Sequence, residues 1–269
     1  GRTGELRDVL LGEREPQFLE LPELEFAATL NPSQQQAVRS ALASEDLAII
    51  HGPPGTGKTT TVVELISHAI DQGQKVLACA PSNTAVDNLL QRLVASGKKV
   101  VRVGHPARVD QRLREFTLDF QVAKHEMMDI VRDMLREAEG LFRKAGKFTR
   151  ARPAPGAKQE MRREARRLKA DARLLEQHAV QSVLDRADVV CATTTLNEEL
   201  FGDRRFGLAV IDEACQSTEP GCWIPLLRAD RIVLAGDHCQ LPPTVLSKPA
   251  AREGLATSLL ERLVAQYGD

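Results

Sequence analysis

The segment Gly52-Pro53-Pro54-Gly55-Thr56-Gly57-Lys58-Thr59 fits G-x-x-x-x-G-K-[ST], a set of residues able to hold the phosphates of a nucleoside triphosphate. Its glycines let successive backbone N–H groups converge on an anion, and Lys58 adds a point charge for the outer phosphates. The Thr59 hydroxyl can ligate Mg²⁺, and Thr60 is counted with the same site. Two later segments carry complementary chemistry. Leu208-Ala209-Val210-Ile211 runs into Asp212 and Glu213, suited respectively to holding the metal and to deprotonating an attacking water. Alone, two acids after an apolar run are a weak signal; with the phosphate loop upstream they become strong. Arg231–Ala235 then delivers Gly236-Asp237-His238-Cys239-Gln240-Leu241-Pro242-Pro243. Gln240 is neutral and can donate to a phosphate oxygen while accepting from water, the properties of a sensor that changes partners on hydrolysis. The catalytic candidates are thus Glu213, Lys58 and Gln240, and the metal candidates are Thr59 and Asp212.

These residues need a scaffold that brings distant segments together. Leu47–His51 reads as a buried strand entering the loop, and Thr60–Ile70 as an amphipathic helix leaving it, stopped by Gly73. Further strands are expected at Lys75–Ala80, Lys99–Val103, Asp188–Ala192, Leu208–Asp212 and Arg231–Ala235. Helices are expected at Glu5–Leu11, Ser33–Ala43, from an N-cap at Ser82 to Ala95, and at Leu255–Tyr267. Short apolar strands alternating with helices predict an α/β fold, a mainly parallel sheet with helices on both faces. Ligand-binding residues then belong at the carboxyl ends of the strands.

Residues 107–186 interrupt this pattern with an insertion that lacks strand character. Met161, Ala165, Leu168, Ala172, Leu175 and Ala179 follow the alternating spacing of a helix–helix seam, and Val122–Phe142 offers a matching stripe. Pro153, Pro155 and Gly156 mark a turn, so an antiparallel helical hairpin is expected, each arm about 35–40 Å long. Net charge over the 269 residues is −1, yet residues 141–174 hold twelve Lys/Arg against three acids. That local +9 leaves −10 elsewhere, so the basic charge is concentrated in the hairpin, as a solvated helical face or as an arm contacting a nucleic-acid backbone. The organisation read from the sequence is therefore 1–30 as helix and linker, 31–106 with 187–269 as the nucleotide domain, and 107–186 as the basic hairpin.

The five cysteines form no C-x-x-C pair, and Cys215, Cys222, His238 and Cys239 match no common zinc spacing. A reducing compartment, cytoplasmic or nuclear, fits them best, and no apolar run reaches transmembrane length. The chain starts with Gly1 and not Met, which points to a piece of a longer protein.

Gly52–Thr59, Asp212-Glu213-Ala214-Cys215-Gln216 and Gly236–Pro243 resemble, in that order, motifs I, II and III of superfamily 1 helicases. Ala80-Pro81-Ser82-Asn83-Thr84-Ala85-Val86-Asp87-Asn88 resembles motif Ia of the 5′→3′ branch that includes the nonsense-mediated-decay and immunoglobulin μ-binding helicases. Leu30-Asn31-Pro32-Ser33-Gln34 is similar to that branch's Q motif, whose glutamine reads adenine. Arg102–Arg108 and Cys222–Leu227 lie closest to the immunoglobulin μ-binding helicase. The resemblance implies a P-loop NTPase of the RecA-like type using ATP and Mg²⁺, with Asn31, Gln34, Gly52, Pro53, Pro54, Gly55, Thr56, Gly57 and Lys58 among the nucleotide contacts. It also implies single-stranded DNA or RNA as partner, touched at Pro81, Ser82 and Asn83, at Thr193, Thr194 and Thr195, and at Pro243 and Thr244. A second RecA-like domain of the same full-length protein would supply arginine fingers, and this chain by itself is expected to be a monomer that turns over very slowly. Aromatics are only 4% of the residues and the one Trp, Trp223, lies in an apolar run that reads as core, so base stacking should contribute little. The competing reading is a nucleotide-dependent switch without unwinding activity, its basic hairpin docking a partner.

Overall fold

The computed structural model describes residues 2–26, 30–146, 156–237 and 239–268. Its contacts divide the chain into two units, Gly1–Thr117 with Ala187–Asp269, and Leu118–Arg186.

The first unit is built on six parallel strands: β1 (Leu47–His51), β2 (Val76–Ala80), β3 (Val100–Arg102), β4 (Val189–Thr193), β5 (Leu208–Ile211) and β6 (Ile232–Gly236). Their order across the sheet is β1-β6-β5-β2-β4-β3. β2, β5 and β6 are buried along their whole length, which is why they read as continuous apolar runs and not as alternating ones. Register aligns the functional ends: His51 pairs with Gly236, and Ala80 with Thr193. Each predicted strand is present, with ends displaced by no more than a residue.

The N-terminal helix α1 (Arg2–Leu11) buries Leu6, Val9 and Leu10. Helix α2 (Pro32–Ala43) opens with a capping box: Asn31 accepts from Gln34 N at 2.9 Å, and the Gln34 side chain accepts from Asn31 N at 3.0 Å. Helix α3 (Lys58–Asp71) leaves the phosphate loop and buries Val62, Leu65 and Ile66. Helix α4 (Asn83–Ala95) has Ser82 as N-cap, its Oγ accepting from Ala85 N at 3.1 Å.

Residues 107–117 were read as the start of the insertion; the structure assigns them to the first unit. They form two 3₁₀ turns whose Val109 and Leu113 enter the core, and Asp110 N donates to Asp87 Oδ2 at 3.0 Å. Such turns carry neither a period of 2 nor of 3.6, so apolar periodicity could not claim them for either domain.

In the second unit α5 (Leu118–Ala123) and α6 (Met127–Gly146) replace the single helix expected from Val122, and α7 (Ala157–Arg186) forms the other arm. The break lies at His125, whose Nδ1 accepts from Met127 N at 3.3 Å while Nε2 meets Ser182 Oγ at 3.1 Å. Lys169 lies over the Phe142 ring, so α6 and α7 run antiparallel. Their seam buries Val131, Ala138 and Ala145 against Ala165, Ala172 and Ala179, small side chains that let the two helices approach closely. Gly156 has φ +88°, while the turn prolines Pro153 and Pro155 lie outside the described residues.

After β5 comes α8 (Glu219–Leu226), and after β6 the short α9 (Lys248–Ala250) and α10 (Leu259–Tyr267). The last helix was expected from Leu255; it begins four residues later because Gly254 at φ +106° breaks the helical path and Ser258 caps the new start. Arg262 of α10 donates to Leu10 O at 3.0 Å and Tyr267 Oη to Val9 O at 2.6 Å. Residues 1–30, read as helix and linker, thus include a helix fastened to the nucleotide domain. Trp223 is half-buried, its Nε1 donating to Glu219 Oε1 at 3.3 Å, a tether and not a core side chain. No helix among the described residues is long and apolar enough to cross a membrane.

Candidate active site

β1 ends at His51 and the chain turns through Gly52–Gly57 into α3. Gly55 and Gly57 both have φ +81°, left-handed conformations that a side chain would strain. A Cβ on Gly57 would also come within 2.5 Å of Gln34 Nε2, which donates to Thr56 O at 2.8 Å. The capping box therefore braces the phosphate loop through one glutamine. Lys58 Nζ folds over the loop onto the carbonyls of Gly52 and Pro53, and Thr56 Oγ1 donates to Pro53 O at 2.8 Å.

β5 delivers the acids. Asp212 is 4% exposed; Thr59 Oγ1 donates to its Oδ2 at 3.1 Å and Glu213 N to its Oδ1 at 3.0 Å. Burial pushes the Asp212 carboxyl above its ordinary range, opposed first by those two donors and then by Lys58 and Arg92. Glu213 is the one non-glycine residue with positive φ among the described residues, at φ 53° and ψ 38°. That left-handed turn separates its carboxylate from the strand direction at a cost of about 1–3 kcal/mol, an expense characteristic of functional sites. Burial, then the neighbouring Asp212 charge, push Glu213 upward too, which suits a base.

β6 supplies the third part. Gln240 Nε2 donates to Asp237 Oδ2 at 3.0 Å, Cys239 N donates to Oδ1 at 2.9 Å, and His51 Nε2 meets Oδ1 at 3.2 Å. Gln240, Cys239 and His51 together hold the Asp237 carboxyl down at about 2. Asp237, ionised at neutral pH, fixes the amide polarity of Gln240, whose nitrogen donates to the acid.

These three groups line one cavity of about 410 Å³, with Lys58, Thr59, Asp212, Glu213 and Gln240 in its wall. Pro54, Gly55, Gly57 and Thr60 line it as well, whereas Gly52, Pro53 and Thr56 shape the loop from behind. Asn31 and Gln34 stand outside its wall and reach it through the Gln34–Thr56 bond. Thr59 and Asp212 form a hard-oxygen pair with one carboxylate, the donor set on which Mg²⁺ relies when substrate phosphates complete its shell. The open space at Gly55, where a Cβ would meet nothing within 4 Å, leaves the loop accessible to an anion. The residues present fit a metal–triphosphate pair. No cluster of three His, Cys, Asp or Glu occurs among the described residues; His238 lies outside them.

The residues assigned to nucleic acid are only partly brought together. Ala80–Thr193 register sets Pro81, Ser82 and Asn83 beside Thr193 and Thr195 at the ends of neighbouring strands. Thr194 is 4% exposed and Pro243 is buried, so their side chains offer little surface, and Thr194 N donates to Ala80 O at 3.1 Å at the sheet end. Thr244 is exposed but follows β6, which β5 separates from β2.

Three side chains at or near the site escaped the sequence reading. His51 braces Asp237, and Arg92 of α4 lines the cavity and donates from Nη1 to Thr60 Oγ1 at 3.0 Å. Arg102, fully buried, donates from Nε to Asp87 Oδ1 at 3.2 Å, from Nη2 to Asn83 Oδ1 at 2.9 Å, and from Nη1 to Val103 O. Only a basic residue inside an otherwise apolar strand could have flagged Arg102; Arg92 reads as an ordinary solvated helix position.

Comparison with known proteins agrees with this geometry. The AAA domain family matches residues 29–248. The chain is similar to DNA-binding protein SMUBP-2 of Rattus norvegicus, 46% identical over 275 residues, covering 100% of this chain and 27% of that protein. It is 38% identical over 245 residues to DNA polymerase alpha-associated DNA helicase A of Schizosaccharomyces pombe, covering 91% of this chain and 36% of that protein. The Regulator of nonsense transcripts 1 homolog of Arabidopsis thaliana is 40% identical over 240 residues, covering 87% of this chain and 18% of that protein. With its phosphate loop, paired acids and Gln240 converging on the carboxyl ends of a parallel sheet, the chain belongs to the AAA domain family.

Proposed function

We propose that this chain is the ATP-binding half of a motor that couples ATP hydrolysis to movement along single-stranded DNA or RNA. The observation that carries the reading is the convergence of Lys58, Thr59, Asp212, Glu213 and Gln240 on one cavity. Lys58 and the loop N–H groups bind the outer phosphates, while Thr59 and Asp212 hold Mg²⁺. The metal, when bound, neutralises charge that develops on the phosphate oxygens. Glu213 takes the proton of the attacking water, its affinity for that proton raised by burial and by Asp212. Gln240, held by Asp237, offers its amide oxygen to the water and its second N–H to phosphate. A second RecA-like domain of the same full-length protein supplies the remaining cations; in other phosphoryl-transfer systems an arginine finger contributes about 10³–10⁵ in rate.

Nucleic acid meets the strand ends at Ser82, Asn83, Thr193 and Thr195, hydroxyl and amide groups suited to phosphate and sugar and not to base identity. The test is ATP turnover by the full-length protein with and without a single-stranded oligonucleotide. Stimulated turnover, abolished by Glu213→Gln with ATP binding retained, is the expected result. Unstimulated turnover would leave a nucleotide-dependent switch, and wild-type turnover by Glu213→Gln would overturn the assignment of the base.

A further inference from the structure

Arg92 enters the cavity from a helix outside motifs I, II and III. Its Nη1 donates to the hydroxyl of Thr60, the residue after the metal-binding Thr59, and the side chain shares the cavity wall with Lys58, Asp212, Glu213 and Gln240. The Thr60 bond takes one of the five N–H groups of a guanidinium, leaving a fork able to meet an anion.

Strand order determines which end of a nucleotide this cation can meet. α4 follows β2, and β2 lies beside β5, the strand that carries Asp212. The base end of the site is on the other side: β1 is the edge strand, and Gln34 of α2 touches the loop that leaves it. Arg92 therefore stands on the Asp212 side, with the metal and the outer phosphates, away from the base. Two carboxylates and a triphosphate carry more negative charge than Lys58 and one divalent metal together neutralise.

We propose that Arg92 is a phosphate-binding residue supplied in cis, contacting the outermost phosphate and making the site favour nucleoside triphosphate over diphosphate. The inference rests on the nucleotide site proposed above and adds its specificity. Lys58 reaches the loop carbonyls and serves either nucleotide; Arg92 serves the one with the extra phosphate.

The experiment is equilibrium titration of this chain with Mg²⁺ and either adenylyl imidodiphosphate or ADP, in wild type and in Arg92→Ala, Arg92→Gln and Arg92→Lys. Arg92→Gln retains a donor for Thr60 without the charge, and Arg92→Lys retains the charge without the fork. The expected result is about a tenfold loss of triphosphate affinity in the Ala and Gln variants, the scale of one charge-assisted hydrogen bond at an accessible site. ADP affinity should change by less than about twofold on the same scale, with Arg92→Lys between wild type and Gln. Equal losses for both nucleotides, or no loss for either, would overturn the proposal, as would Arg92→Gln behaving like wild type. Lys58→Ala separates this failure from that of the site itself: it should weaken both nucleotides, and unchanged binding there would remove the nucleotide reading altogether.

Discussion

Asp212→Asn should stabilise the ligand-free protein and destroy the stabilisation that Mg²⁺-nucleotide confers, so that the order of melting temperatures reverses. Asn keeps the shape of the site: its Oδ1 still accepts from Glu213 N, and its amide nitrogen can donate to the Thr59 hydroxyl, which then acts as acceptor. What disappears is a buried charge that burial disfavours. The sign follows from that direction. A carboxyl whose folded value is raised contributes stability that is complete below the unfolded value, near 3.8, and lost as pH rises through the folded one. At neutral pH the wild type bears the whole cost and the Asn variant none, and the gap narrows as pH falls toward 4. With metal-nucleotide at about 100 times its Kd, the wild type gains about 2.7 kcal/mol. For a domain of this size that is about 5–11 °C in melting temperature. The assay is thermal unfolding at neutral pH with EDTA and with Mg²⁺-adenylyl imidodiphosphate. An Asn variant markedly less stable than wild type in EDTA, or raised equally by the ligand, would refute the reasoning.

Arg102→Met should destabilise by about 3–5 kcal/mol, because it strands Asp87 in a buried pair, and the double variant with Asp87→Leu should recover part of that loss in urea melts. Asp237→Asn should leave stability between pH 4 and 8 dependent on the remaining Gln240 and His51 contacts. In wild type the Asp237 contribution is present above about 3.8 and lost as pH falls through about 2, a feature the variant should lack in acid titrations. If the second domain proposed above supplies arginine fingers, hydrolysis by this chain alone should be slower than by the full-length protein by about 10³ or more in a steady-state phosphate-release assay. Reversing the exposed Arg162, Arg163, Arg166 and Arg167 of α7 to Glu in the full-length protein should weaken oligonucleotide binding. Its slope of log affinity against log salt should flatten by about 0.7 per lost phosphate contact, with nucleotide affinity unchanged. An unaltered slope would leave the hairpin to a protein partner.

The strands and the phosphate chemistry were legible because both are local: apolar runs ending in glycine or acid mark β1, β5 and β6, and the loop needs its glycines in fixed order. The helical seam was legible for the same reason, its alanine spacing matching Ala165, Ala172 and Ala179. What could not be read arises between segments. His51 meets Asp237 only because β1 lies beside β6, and Arg92 meets Thr60 only because α3 and α4 pack together. The burial of Thr194 and Pro243 was not legible for a related reason. A polar type or a motif position gives chemistry, but how far it is buried depends on which elements pack around the strand end. The true start of the insertion was hidden by 3₁₀ turns, and the true start of α10 by the φ of Gly254.

The pairing of β1 with β6 has a consequence for how the molecule is made. Leu47 finds its neighbour Ile232 only after β2 to β5 and both arms of the hairpin have left the ribosome. The phosphate loop is thus synthesised early yet is finished late, and until then β1 offers an unpaired strand edge. The helical hairpin depends on contacts close in sequence and can form while that edge waits. Nascent chains halted before β6 should therefore be rich in helix, poor in nucleotide binding and prone to aggregate, and nucleotide binding should arise in one step when residues 232–240 emerge.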